Sequence, residues 1–492
     1  MPPREADRND RLERLFLLGP AALAAEIVWL ATGGFGCGLT PDSVQFLACA
    51  KSLASGGGWV RVEGAPSVEW APLLPGWLAL GTKLGDPPLA LARITEALAA
   101  AGITWAIGLW TSRAARSRLA GLVAALAVAL SLPLLHASAH LWSDAPFLCF
   151  ALLGVLGLGD ARARPAWRTV GIAALWAALA ALTRYLGVTL IAAGALALAT
   201  QRRWKDALGY TFLSLLPLAL WLARNAALTG TATGVREPPG ATWPMNLSGF
   251  LHGAIDPLVP WPWPGAIKLA LLGVLAALAW IVLRRESRDE GAGPLALFVF
   301  LYGSAVVIVS SIWGSDAVDV RLALPLSVAL CAGALLATAK ARGRWVRLAL
   351  LSLVVLWLGR ELVHAREVVT LYRQEGVPGF SDRQWTASPT LARLRSHPPR
   401  PPFYSNAPEI AWLALERPVR LSPRAHLFYD ERSRVDDLDR FVADLGRDSS
   451  ATLIWFREVD RRSLVPRDSL ARRVTLKPIA DLPDGTLDEA SR

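Results

Sequence analysis

The chain has 492 residues, of which 53% are hydrophobic and only 18% are charged. Its mean hydropathy of +0.37 is too high for a soluble protein whose surface must be hydrated. The formal net charge of +11 would fit a nucleic-acid-binding protein, but the basic residues fall between the apolar runs. Composition and charge therefore predict a polytopic membrane protein whose partners include membrane lipids and no nucleic acid.

Apolar runs recur through the first three quarters of the chain, and several approach the roughly 20 residues that span a bilayer. They predict about eleven transmembrane helices, near residues 15–35, 88–111, 119–136, 145–159, 169–183, 186–200, 207–223, 266–283, 294–313, 322–339 and 346–363. Arg and Lys clusters occupy alternate connections between these runs, and basic residues are retained on the cytoplasmic side. The amino terminus is therefore expected in the cytoplasm and the tail outside.

Two stretches of the first outer loop, near residues 36–87, are expected to form helices. Thr40 or Asp42 can cap the first of these, and the glycines at 56–58 end it. The second follows Trp70 and is rich in tryptophan, which predicts an interfacial helix anchored by aromatic rings. A second outer loop is expected near residues 224–265.

The tail changes character after residue 364, where short strand-like stretches alternate with helix-like ones. This pattern predicts a small extracytoplasmic α/β domain over residues 365–492, attached to a transmembrane domain over residues 1–364. The tail contains no Gly-rich phosphate loop, CxxC pair or nucleophile elbow. Packing or partner recognition is its expected role.

Several short motifs follow one another in a recognisable order. An acid stands soon after the first span, and it is followed by W-x-P-L-L-P-G, WSDAPF, LTRYLG, LARNAALTGTATG and DVRLALPL. In this order and placement the motifs resemble the bacterial membrane glycosyltransferases of the GT-C superfamily, whose relatives include the lipid A aminoarabinose transferases and the protein O-mannosyltransferases. The resemblance covers most of the chain. It implies an inverting transfer of a hexosyl or pentosyl group from a polyprenyl-phosphate donor to a lipid, glycan or protein acceptor on the outer face.

Three acids are candidates for the general base that such a transfer needs. In the family pattern the acid of the first outer loop has this role, and Asp42 is the matching position. Its alternative role is to cap the helix that follows. Asp144 opens the fourth span, and the resemblance implies that it faces the same cavity, because an acid at this point does so in similar proteins. Glu69 is a third candidate, although a solvated loop acid is the simpler interpretation.

Three arginines are candidates for binding the donor phosphate, because a guanidinium can hold phosphate oxygens through two parallel hydrogen bonds. Arg184 lies between two apolar runs at the outer interface, where the positive-inside rule gives no reason for a cation. Arg321 stands at the start of the tenth span, and Arg224 ends the seventh. For each arginine the alternative is a side chain that anchors the protein to lipid headgroups.

His136, His140 and Asp144 recur at every fourth residue, a spacing that could place a divalent metal site on one helix face. Pro133 and the span boundary argue for a short loop here, so interfacial histidines without a ligand role are the simpler interpretation. Metal dependence stays open, and no other cofactor is expected.

Two other classes of protein fit the composition. A secondary transporter would also be polytopic with charges inside the membrane, but it would show internal repeats, and none is visible. A noncatalytic scaffold would leave Asp42 and Arg184 without a role. Convergence of Asp42, Asp144, Arg184 and Arg321 in one outward cavity would favour the transferase.

Overall fold

The computed structural model describes residues 12–83, 88–259, 265–266, 273, 292–314, 317–341, 343–431, 435–448 and 450–492. Up to residue 375 the described chain is helical. Its helices are α1 (Leu18–Ala31), α2 (Pro41–Ala54), α3 (Leu73–Lys83), α4 (Pro88–Ala115), α5 (Arg118–Ala129), α6 (Leu132–Ala139), α7 (Asp144–Ala163), α8 (Trp167–Thr183), α9 (Val188–Ala199), α10 (Trp204–Thr229), α11 (Trp243–Ile255), α12 (Ala292–Ile312), α13 (Val320–Ala339) and α14 (Arg344–Glu375).

Among the described residues, six helices are long and apolar enough to cross a membrane. They are α1 together with the residues that precede it from Leu12, and α4, α7, α10, α12 and α13. Helices α5 and α6 form a bent pair with a 52° angle that could make one further span. The apolar helices α8 and α9 have 17 and 12 residues, fewer than the roughly 20 that cross a bilayer. A predominantly helical membrane fold is thus confirmed, while the count of eleven spans stays a prediction.

Two boundaries differ from those expected, and one predicted span cannot be compared. The predicted span at 266–283 falls almost entirely outside the described residues. Helix α10 continues to Thr229 and ends at Gly230, whose φ of 74° is a conformation that glycine adopts without strain, so the second outer loop begins later than residue 224. That loop contains α11, which the sequence pattern did not indicate. Helix α14 runs through residues 364 and 365, where the domain boundary was predicted.

Helix α2 forms as the sequence predicts, but only one of its two candidate caps is used. Thr40 is the N-cap, and it forms a reciprocal capping box with Ser43, whose hydroxyl accepts a hydrogen bond from the Thr40 backbone N–H at 3.0 Å. Asp42 lies in the first turn, one residue after Pro41. The alternative role of Asp42 as the cap is therefore wrong, and its carboxylate is left for other contacts.

The tail contains the short helices α15 (Arg383–Thr386), α16 (Pro389–Ser396), α17 (Pro408–Leu415), α18 (Asp437–Asp448) and α19 (Arg467–Leu470), and the strands β1 (Phe403–Ser405), β2 (Val419–Leu421), β3 (Ala451–Phe456), β4 (Thr475–Leu482) and β5 (Gly485–Ser491). The strands form one sheet in the order β2-β1-β3-β5-β4, parallel from β2 to β3 and antiparallel beyond. Strand β5 was not expected from the sequence. The sheet and the first outer loop share a single apolar core, in which Val44 and Leu47 of α2 pack with residues such as Phe403 and Ile410. This shared core fixes the tail against the loop that carries Asp42.

Candidate active site

The start of α2 is held against the connection between α6 and α7 by backbone hydrogen bonds. The N–H of Gly38 donates to the carbonyl of Ala139 at 2.9 Å, and the N–H of Leu141 donates back to the carbonyl of Gly38 at 3.0 Å. The Ser43 hydroxyl also donates to the carbonyl of Leu141 at 2.8 Å. Gly38 suits this approach because an added Cβ would lie 2.6 Å from the ring of His140. These contacts bring the first turn of α2 beside the first turn of α7.

Asp42 makes two contacts through its carboxylate. Its Oδ1 accepts a hydrogen bond from Trp70 Nε1 at 3.3 Å, and its Oδ2 lies 3.9 Å from Arg321 Nη1. The side chain is 46% exposed, yet the protein packed around the carboxyl limits its hydration. This desolvation raises the pKa of Asp42 above that of an ordinary aspartate, and the positive charges of Arg321 and Arg184 act in the opposite direction.

Arg321 follows the N-cap of α13, where the Asp319 carboxylate accepts hydrogen bonds from two backbone N–H groups. The guanidinium lies over the ring of Trp142, 4.8 Å from its centroid, and is 20% exposed. Trp142 is itself fixed, since its Nε1 donates to the Thr40 hydroxyl at 2.9 Å. Within the described part of the chain, Arg321 Nε is buried and has no hydrogen-bond partner. A buried donor of this kind requires an acceptor, which a bound anion would supply.

Asp144 and Arg184 form a second pair beside the first. Arg184 Nη1 donates to Asp144 Oδ1 at 2.6 Å and lies 3.4 Å from the hydroxyl of Ser143. The side chains are only 5% and 20% exposed for Asp144 and Arg184 respectively. Arg184 follows the last residue of α8, and Asp144 opens α7. Both residues act electrostatically on Asp42. The structure thus brings together Asp42, Asp144, Arg184 and Arg321, all at helix ends.

The other two charged candidates have different contacts. Arg224 lies inside α10, donates to the carbonyl of Ser67 at 3.1 Å and to the Asn225 side chain at 2.9 Å, and covers the ring of Trp221. Glu69 accepts a hydrogen bond from Arg61 Nη1 at 2.6 Å and is not a solvated loop acid. None of these contacts is with the Asp42 carboxylate.

His140 is held between two carbonyl groups, with Nδ1 at 2.8 Å from the oxygen of His136 and Nε2 at 3.1 Å from that of Pro378. Its ring stacks on Trp142 at 4.0 Å. Residues 132–139 form helix α6, and residues 140–143 connect it to α7, so His136, His140 and Asp144 do not lie on one continuous helix, as expected. Within the described residues, no cluster of three or more His, Cys, Asp or Glu side chains could hold a metal ion. The acid of the predicted set, Asp144, is paired with Arg184.

Two tryptophans of the site received no role from the sequence. Trp70 was expected only to anchor an interfacial helix, but it donates to Asp42. Trp142 supports Arg321 and connects it to Thr40. Both stand within the motifs that carried the family resemblance. The signal was therefore present, but a motif does not show which group an indole N–H contacts.

Comparisons with known proteins agree with this architecture. The profile of the dolichyl-phosphate-mannose-protein mannosyltransferase family matches residues 70–223. Crystal structures of ArnT from Cupriavidus metallidurans superpose with a TM-score of 0.65 in the apo state, at 14% identity, and 0.63 with undecaprenyl phosphate bound, at 15% identity. Both alignments cover 94% of this chain and 96% of ArnT.

The chain has the GT-C fold. An oligosaccharyltransferase from Archaeoglobus fulgidus also aligns with this chain, with a TM-score of 0.56 and 11% identity, over 89% of this chain and 68% of the archaeal one. Comparison with curated protein sequences gives no significant match. The fold expected from the resemblance is confirmed, and at these identities the likeness to solved structures establishes the fold alone.

Proposed function

We propose that this GT-C protein is a glycosyltransferase that moves a sugar from a polyprenyl-phosphate donor to an acceptor on the outer face of the membrane. The observation that carries the proposal is the Asp42–Arg321 pair, in which a half-exposed carboxylate faces an arginine whose buried Nε has no hydrogen-bond partner among the described residues. The ArnT structure that aligns with this chain was solved with undecaprenyl phosphate, which supports a lipid-linked donor.

In the proposed reaction Asp42 is the general base. Its carboxylate removes the proton from an acceptor hydroxyl as that oxygen forms a bond to the anomeric carbon. The bond between the anomeric carbon and the phosphate oxygen breaks, and its electron pair leaves on the polyprenyl phosphate. Attack on the side opposite the phosphate inverts the anomeric configuration. Trp70 orients the base through its hydrogen bond to Oδ1.

Arg321 is the proposed ligand of the leaving phosphate. Its Nη1 lies 3.9 Å from Asp42, beyond hydrogen-bond distance, so the guanidinium is not locked to the acid. Its planar fork can hold two phosphate oxygens as their negative charge grows. Arg184, oriented by Asp144, adds positive charge next to the same site. Arg224 has the weakest case as a phosphate ligand, because its contacts hold the loop at Ser67.

The location of the charged groups favours a transferase over a transporter. All four converging residues lie at or next to helix ends, whereas transporters bind substrate at broken helices near the bilayer midplane. A scaffold would not require a buried arginine donor without a partner.

The proposed topology places the amino terminus in the bacterial cytoplasm and both the site and the tail outside. A reporter fused after Arg492 should then be active on the outer side, and one fused after Arg285 on the inner side. Activity of the carboxyl-terminal fusion in the cytoplasm would contradict the proposed location.

The transfer is tested by incubating purified protein with a panel of radiolabelled polyprenyl-phosphate sugars and with lipid, glycan and peptide acceptor fractions. We expect consumption of at least one donor with release of polyprenyl phosphate, and consumption by the Asp42→Asn variant that is slower by about 10²- to 10⁴-fold. Absence of consumption across the panel would contradict the proposal.

A further inference from the structure

A polar cavity lies between the first outer loop and the tail, apart from the acid–arginine cluster. Its volume is about 670 Å³, within the range of small-molecule sites. Arg61 and Glu63 of the first outer loop form one wall. The other walls are formed by residues of β1, of the segment after β2 and of α18, and these residues include Tyr404 and Ser422. The cavity is therefore built by two parts of the chain that fold against each other.

The charge on its walls is nearly balanced. Among the described residues that line it are five arginines and four carboxylates. The arginines are paired: Arg420 lies 3.7 Å from Asp444, and Arg424 lies 2.7 Å from Asp437. A polyanion would meet carboxylates as often as cations, and an apolar chain would bury these polar groups without partners. The ligand that fits is neutral and rich in hydroxyl groups.

Several wall groups are placed to hydrogen-bond such a ligand. Ser422 is 1% exposed, and within the described part of the chain its hydroxyl has no hydrogen-bond partner. Glu63 Oε2 is also buried and has no hydrogen-bond partner among the described residues, although it forms an ion pair with Arg61 Nε at 3.5 Å. Tyr404 accepts a hydrogen bond from Arg420 at 2.9 Å. Carboxylates and guanidinium groups can each contact two neighbouring hydroxyls of a sugar ring, because each presents two polar atoms in one plane.

The cavity is connected to Asp42 by two short chains of contacts. Gln45 stands three residues after Asp42 on α2, a rise of about 4.5 Å, and its amide donates to Glu63 Oε1 at 3.3 Å. On the other side, Arg61 donates to Glu69, and the adjacent Trp70 donates to Asp42. These contacts link the wall of the cavity to the residues that surround the proposed base.

We propose that this cavity binds the saccharide part of the acceptor, so that the acceptor is a neutral glycan or a lipid that carries one. This inference rests on the proposed transfer reaction and names its acceptor class. The tail then contributes acceptor binding, and residues on both walls position the glycan so that its terminal hydroxyl meets Asp42.

The binding experiment uses the full-length Asp42→Asn variant in detergent, so that turnover cannot consume the ligand. The probes are arrays of short neutral oligosaccharides built from hexose and deoxyhexose units, alongside acidic oligosaccharides and zwitterionic peptides. We expect binding to members of the neutral set. A preference for the acidic probes or for the peptides, or no binding to any neutral probe, would overturn the inference.

Two substitutions in this background locate the bound glycan. Ser422→Ala removes a hydroxyl without a protein partner, so folding should be preserved while glycan affinity falls by about threefold to tenfold, the worth of one hydrogen bond. Arg420→Ala should weaken binding by about tenfold or more, because its hydrogen bonds are charge-assisted. Equal affinity in both variants and the parent would place the glycan elsewhere and refute the inference.

The matched control is Arg473→Ala, which removes an arginine of the same region that pairs with Asp439 on the surface and does not line the cavity. Its glycan affinity should equal that of the parent. Donor turnover by wild-type protein separates the two proposals. Turnover without glycan binding refutes only the cavity inference, whereas glycan binding without turnover supports the cavity and refutes only the transfer.

Discussion

The two acid–arginine pairs at the helix ends differ in distance and in exposure. Asp144 and Arg184 are joined by a 2.6 Å hydrogen bond, and the acid is almost completely buried. Asp42 and Arg321 stand 3.9 Å apart, and the acid keeps nearly half of its side-chain surface. The first pair satisfies its own charges, while the second leaves a carboxylate accessible and an arginine N–H that has no partner in the part of the chain that the structure describes.

The difference in distance and exposure implies different roles for the two acid–arginine pairs. Separating a buried, hydrogen-bonded pair is costly, because each charge is then left in a poorly hydrated environment. The Asp144–Arg184 pair is therefore suited to hold the site together. The Asp42–Arg321 pair can open around a substrate at little cost, which suits a base and a phosphate ligand.

The largest expected effect is on turnover in Asp42→Asn. Loss of the proton acceptor should lower transfer by about 10²- to 10⁴-fold, the usual contribution of a positioned base. Thermal stability should be preserved, because Thr40 and not Asp42 caps α2. Turnover and melting temperature are measured together, with Asp206→Asn as the control, since Asp206 pairs with Arg203 in the first turn of α10. Wild-type turnover in Asp42→Asn would move the search for the base to Asp144 or Glu69.

The second effect is on stability in Asp144→Asn. This change leaves the Arg184 charge without its counter-ion and should lower the free energy of unfolding by about 3 kcal/mol, the lower end for a broken buried pair because Arg184 keeps some exposure. Melting in detergent measures it, with Asp42→Asn as the comparison. Equal melting temperatures for the two variants would abolish the distinction between the pairs.

A smaller effect is expected on donor binding in Arg321→Ala. Removing charge-assisted hydrogen bonds worth about 1.5–3 kcal/mol should weaken affinity for a polyprenyl-phosphate donor roughly 10- to 100-fold. Arg321→Lys should recover only part of it, since an ammonium lacks the planar fork. Arg184→Ala should lose less affinity and more stability than Arg321→Ala. Titration with donor lipid measures the affinities, and Arg203→Ala serves as the control. Unchanged affinity in Arg321→Ala would leave this arginine as a headgroup anchor.

The smallest effect is on pH dependence. Asp42 must be deprotonated to act as a base, and its pKa is raised by desolvation, so the acid limb of turnover should lie above that of an ordinary aspartate. Arg321 lowers that pKa, so Arg321→Gln should move the limb to higher pH. Profiles of turnover against pH for the wild type and Arg321→Gln measure the direction. A limb that moves to lower pH, or does not move, would mean that the two groups are not coupled.

The sequence predicted much of the fold and most of the cluster. Apolar run length indicated the membrane helices, because the bilayer imposes a minimum number of apolar residues on each span. Four charged residues were predicted to form one group from their positions relative to the spans, namely Asp42, Asp144, Arg184 and Arg321. Glu69 was misjudged as solvated, because its ion pair with Arg61 depends on how the loop folds back.

By itself, the amino-acid order determined which segments are apolar, where helices such as α2 begin and end, and which charged residues stand at span ends, since these depend on local pattern and composition. Only the tertiary structure decided that Arg184 pairs with Asp144, while Arg321 keeps a donor without a partner among the described residues. It also decided that Trp70 and Trp142 support the second pair. It also decided that the tail and the first outer loop enclose a common polar cavity. The physical reason is that pairing between charges depends on distances of a few ångströms between segments far apart in the chain, and local sequence pattern does not encode such distances.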